Sequence, residues 1–220
     1  MSNGRVLVNE LKLLLSGVDN LLNTLILFIL MISVALFTIK DTEMIKILPT
    51  ILWICGISTV HMSMCHLLGN DYGNGSLEQI LIQNCIPELV IFFKILLHWV
   101  YVGIPVSLIS VFIDFIILDS DLYSTLGLGF SLGISLLVVS FISAVGHALA
   151  LGKNGGVIIA QVLTLPIMIP VLIYFNLLFD HFKGGVYDEY IMLLGILVIS
   201  VIPVSLVFIL YAIRLAVEHD

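Results

Sequence analysis

Charge is what this chain has least of. Only 10% of its 220 residues are Asp, Glu, Lys or Arg, and 8 bases face 15 acids. So few bases, scattered along the chain, leave no footprint for nucleic acid, and that class of partner is excluded. Cysteine is nearly as scarce. Cys55, Cys65 and Cys85 stand apart, with no CxxC pair and no zinc-ligand spacing. No disulfide framework and no metal site is expected, and the three read as small buried hydrophobes. Phosphate-cradling glycines are missing too: Gly152-Lys153 has neither the upstream glycine nor the following hydroxyl of a nucleotide loop, so the chain is not expected to bind ATP itself. No HExxH and no paired His–carboxylate constellation occurs, which leaves no catalytic residue to name and no enzyme reading. No small-residue cleavage site follows Arg5, so no removable signal peptide is expected.

What is there is hydrocarbon. Hydrophobic residues make up 60% of the chain and mean hydropathy is +1.22, so lipid is the solvent for most of it. At about 20 apolar residues per crossing, the length accommodates an all-α membrane protein of six transmembrane helices in one domain, 1–220. The spans are expected at about 21–39, 47–68, 89–113, 122–151, 157–179 and 190–213. Leu7, Leu11, Leu14 and Val18 recur at helical spacing among polar residues, which suits an interfacial amphipathic helix over about 5–18. The fourth span is rich in small residues, from Gly127, Gly129, Ser131, Gly133 and Ser135 to Ser140 and Ser143. Such residues let helices approach closely, either within the bundle or across a dimer. Arg5, Lys12, Lys94, Lys153 and Arg214 fall on the side of the termini, and Lys40, Lys46 and Lys183 on the other. The excess places both termini in the cytoplasm.

One stretch no bilayer would accept, Gly69 to Pro87. Its glycines, asparagines and aspartate read as a turn, followed by a short helix with Ser76 as N-cap and Gln79 at the capping-box position. Leu77, Ile80 and Leu81 share a face, and Pro87 stops the helix. A helix this short is marginal alone in water, so it must lie against its own membrane domain or a soluble partner. Beyond it, Lys94, His98, Tyr101 and Pro105 stand at helical spacing as an intramembrane polar stripe. Lys94 is near enough to the span end to snorkel, while His98 needs a partner. Pro105, Pro166, Pro170 and Pro203 are expected to break their spans. His61, Met64, Cys65 and His66 cluster at the end of the second span; they are possible haem ligands or ordinary carbonyl-bonding side chains.

Three groups of residues in order carry a resemblance: Gly75-Ser76-Leu77-Glu78-Gln79; Lys94, His98-Trp99 and Gly103-Ile104-Pro105; and Gly155-Gly156-Val157 with Leu165-Pro166 and Ile169-Pro170. Over nearly its whole length the chain resembles the cytochrome c maturation permease subunits, the CcmB or haem exporter protein B family. The resemblance implies a non-catalytic, multi-pass subunit of an ABC transporter in the bacterial inner membrane. ATP would sit on a separate ATPase subunit, and a haem-handling membrane protein and a periplasmic haem chaperone would be further partners. Haem would be cargo rather than a bound cofactor, and a homodimer within the complex is implied. The ATPase-docking coupling helix maps onto Ser76, Leu77, Glu78, Gln79, Ile80 and Leu81 and runs to Asn84. Asn74 replaces the family's aspartate, and Leu67-Leu68-Gly69-Asn70 its upstream bases, so Glu78 becomes the chief charged contact. A static scaffold, or a haem-binding protein using His61, His66 or His98, are the alternatives.

Overall fold

The computed structural model describes residues 18–38, 41–82, 86–118, 120–153, 155–184 and 189–218, without the side chains of 18–21, 41–46, 118 and 189–194. Among them the chain is helical throughout: α1 (Val18–Thr38), α2 (Asp41–Gly73), α3 (Ser76–Ile82), α4 (Pro87–His98), a π-turn (Trp99–Gly103), α5 (Ile104–Leu118), α6 (Leu122–Leu149), α7 (Gly156–Phe182) and α8 (Glu189–Glu218). Lipid offers no hydrogen bonds, so long apolar runs close their backbone bonds internally as helices. Five stretches are long and apolar enough to cross a membrane: Ile47–Gly73, Pro87–Ile117, Leu122–Leu149, Gly156–Phe182 and Gly195–Glu218. The apolar part of α1, Leu22–Thr38, is shorter. The interfacial helix expected over 5–18 lies outside the described residues, save Val18 at the start of α1.

Helix α6 is the centre. Of its span 67% is buried inside the bundle, against 22% for α7, and it packs on α2, α5, α7 and α8. Its glycines explain how. A Cβ on Gly127 would fall 2.3 Å from Phe182, one on Gly129 2.3 Å from Val111, and one on Gly146 2.4 Å from Thr164 and 3.0 Å from the Ala160 carbonyl. Ser131 and Ser140 turn their hydroxyls back onto Gly127 O and Leu136 O, so toward their neighbours they act as small residues. The small residues of the fourth span are therefore a bundle contact within the chain.

A polar node locks α2, α6 and α7 together. Thr164 donates its hydroxyl proton to Ala160 O and thus accepts from His61 Nε2, 3.1 Å away. His61 Nδ1 is left to accept from the Ser143 hydroxyl. His147 Nε2 in turn donates to the His61 carbonyl at 3.0 Å, its ring 4.8 Å from that of His61. All four side chains are buried, and each hydrogen bond here spares a polar group an unpaired place in the bundle.

The prolines behave unlike the open breaks expected. At Pro105, which lacks an N–H, the helix widens by one residue, and Ile104 N–H bonds Trp99 O, five residues back. The widened turn aims the Trp99 indole, which donates to Gly133 O at 2.8 Å. Gly103 makes room for the ring, since a Cβ there would lie 2.5 Å from it. Pro166, Pro170 and Pro203 sit inside helices that continue through them, on exposed faces. They free no carbonyl toward the bundle interior.

Span ends also run past the expected boundaries. Asp114, expected in a loop, lies in α5, buried, and accepts from Thr125 Oγ1 at 3.0 Å. A polar residue at a span end stays helical when a neighbouring helix supplies its partner. Gly146→Leu should destabilise the detergent-purified protein by at least about 1–3 kcal/mol through overpacking. Gly195→Ala, inside α8 where nothing lies within 4 Å, should leave the thermal unfolding midpoint unchanged or raise it slightly.

Candidate functional site

At one end of the bundle the chain reverses over two residues. Asn74 N–H bonds Asn70 O at 3.0 Å and Gly75 N–H bonds Tyr72 O at 3.1 Å, closing α2. Gly75 takes φ of +68°, a left-handed conformation that glycine adopts without steric cost. Its carbonyl accepts from Gln79 N–H at 3.2 Å. Gly75 is therefore the N-cap and Ser76 the first helical residue, which corrects the expected capping box. The turn is also shorter than expected: Gly69 to Gly73 belong to α2, not to a loop.

Helix α3 splits its expected docking residues between two faces. Leu77 is 1% and Ile80 3% exposed, in a cluster with Leu68, Val90, Ile91 and Ile213. Leu81 is half-buried against the same cluster. Burying an aliphatic side chain of this size stabilises by about 1.5–3 kcal/mol, so the apolar face holds α3 on its own bundle. The opposite face presents Glu78 and Gln79, both exposed, and Ile82 at 82% exposure. After residues 83–85, Ile86 and Leu89 continue the exposed apolar surface. Pro87 occupies the first turn of α4, where its missing N–H costs nothing.

Lys94 does not snorkel. It is 4% exposed and its Nζ lies 2.6 Å from Asp71 Oδ2, one turn before the reversal. His98 follows on the same helix, its Nε2 3.0 Å from Ser63 Oγ. Tyr101 and Pro105 are half-buried, Tyr101 inside the π-turn and Pro105 just beyond it. Lys94 and His98 both meet partners on α2.

The cluster at 61–66 does not converge. Both ring nitrogens of His61 are engaged by hydroxyls, Met64 is fully buried, Cys65 half-buried and His66 exposed. No lone pair of His61 is left for iron. Among the described residues no group of three His, Cys, Asp or Glu side chains stands close enough to hold a metal ion. A cleft of about 350 Å³ opens beside Trp99, walled by Phe130, Leu178, Gly195 and Ile199. Its lining is apolar and offers no His, Met or Cys, so it suits an apolar guest held by shape alone.

Sequence reasoning missed the roles of Asp71, Ser63, His147 and Thr164. Asp71 reads as a turn residue in sequence, although an acid within reach of an intramembrane lysine is a usable signal. For His147 and Thr164 no signal existed, because their shared partner His61 lies 86 or more positions away.

Comparison with known proteins fits this architecture. The chain matches the CcmB protein family over residues 1–220. Heme exporter protein B of Haemophilus influenzae is 27% identical over 218 residues, 97% of this chain and 98% of its own. The protein of the same name from Pseudomonas aeruginosa is 33% identical over 174 residues, 76% of each chain. That of Escherichia coli K12 is 24% identical over 217 residues, covering 97% and 98%. With the match running from first residue to last, the chain belongs to the CcmB protein family.

Proposed function

We propose that the chain is the non-catalytic transmembrane subunit of an ABC transporter for cytochrome c biogenesis. The observation that carries the reading is α3 itself. A seven-residue helix is seated by Leu77 and Ile80 on its own bundle and turns Glu78, Gln79 and Ile82 outward. That is the form of a coupling helix, with a rigid seat below and a mixed polar and apolar face above. ATP is hydrolysed on a separate ATPase subunit docked on this face, and its closure displaces α3.

With α1 counted, the chain crosses the inner membrane six times, with both termini and α3 in the cytoplasm. Lys94 is neutralised within the bundle, so the bias rests on Arg5, Lys12, Lys153 and Arg214 against Lys40, Lys46 and Lys183. Haem, for which the relatives are named, is the cargo of the complex or of the chaperone it releases. A haem-handling membrane protein and a second copy of the permease complete the assembly. The kinship favours this over a static scaffold, and His61, with both nitrogens engaged, does not favour a haem-binding protein.

Ile82→Asp and Glu78→Lys should each reduce co-purification with the maturation ATPase by about tenfold or more, in line with truncation of interface hot spots. Leu77→Asp should instead lower the abundance of the permease. Equal recovery of ATPase with the wild type and both surface variants would overturn the docking assignment. The purified permease without partners should show no Soret band after haem addition and desalting. A stable band abolished by His66→Ala would return the haem-binding reading.

A further inference from the structure

The last turns of α2 ought not to be a good helix. Gly69, Asn70 and Gly73 have poor helical propensity, and added Cβ atoms at both glycines would meet nothing within 4 Å. Yet α2 stays helical to Gly73, two residues before α3 begins. What braces it lies on its inner side. Asp71 reaches the buried ammonium of Lys94 on α4 at 2.6 Å. Tyr72 lies under the α6–α7 turn, where its hydroxyl would be 2.9 Å from a Cβ on Gly152. Deeper along the same two antiparallel helices, Ser63 meets His98 at 3.0 Å, and at His61 the helix is bonded to α6 and α7.

A lysine so close to a span end has water within reach of its stem. Holding it inside the bundle costs desolvation that even a well-made ion pair offsets only in part. The arrangement therefore needs a reason other than stability. Resting on the reading of α3 as the ATPase-docking element, we propose that the Asp71–Lys94 ion pair is a coupling strut. It joins the α3-bearing ends of α2 and α4 into one lever. Movement of α3 then reaches His98 and the His61 node as a rigid displacement, where an unbraced Gly69–Gly73 segment would bend and absorb it. Lys94 and Asp71 act as positioning residues, because neither lies on the exposed face of α3.

The test uses the assembled membrane complex and two double variants. Lys94→Met with Asp71→Asn removes both charges of the pair at similar volume. Lys94→Asp with Asp71→Lys restores the pair in reverse. The neutral pair should keep permease abundance and ATPase co-purification within about twofold of wild type, while the yield of mature cytochrome c falls about tenfold, a loss of coupling of ordinary size. ATP hydrolysis should continue. The reversed pair should recover most of the lost yield, which a merely structural requirement for lysine at 94 would not allow. Wild-type yield in the neutral pair overturns the strut, as does a reversed pair no better than the neutral one at equal abundance. Loss of the ATPase from the neutral pair overturns it too, since the residues would then be docking contacts. Failure of the docking reading shows separately, as Ile82→Asp retaining the ATPase.

Discussion

In lipid, two helices gain nothing by hiding leucine from their surroundings, so how closely they approach decides whether they stay together. That closeness is set on α6. Gly127, Gly129 and Gly146 each admit a neighbour to a distance that a single methyl group would forbid. With α6 bare along these lines, α5 and α7 come close to it, and α2 and α8 pack on its remaining faces. Every other feature is hung on that arrangement, including the short helix at one end.

Close packing alone does not fix register, and the buried polar contacts supply it. The His61 node fails if any of its helices slides by one turn, because its acceptors and donors lie on three different helices. Thr125 and Asp114 do the same for α5 and α6, and Asp71 with Lys94 for α2 and α4. These contacts distinguish one packing from its near neighbours more than they deepen its stability. They are also concentrated on α2, the helix that leads directly into α3.

The helical membrane class was legible because 60% hydrophobic content and long unbroken runs leave few alternatives. The short helix after Gly75 was legible from its glycine turn and its apolar spacing. Its outward face was not. Leu77 and Ile80 looked like the contact for a partner because they are apolar, but a helix at a membrane end must first be held to its own chain. Span ends were misread for a related reason. Asp71 and Asp114 look like loop residues in one dimension, and only three-dimensional neighbours, Lys94 and Thr125, make them helical ones. The prolines misled because a missing N–H was taken as a break, whereas a π-turn absorbs it at Pro105 and the exposed sides of α7 and α8 tolerate the others.

The widened turn before Pro105 has an optical consequence. The chain has 2 tryptophans, and the fold puts them in unlike places. Trp53 is buried and stacked 6.3 Å from Phe175, while Trp99 is half-buried on the wall of the apolar cleft, its indole N–H tied to α6. A guest that quenches only on contact would darken the second on entering the cleft and largely spare the first. The protein thus contains both a gauge for occupancy of that space and an internal standard, with no label attached.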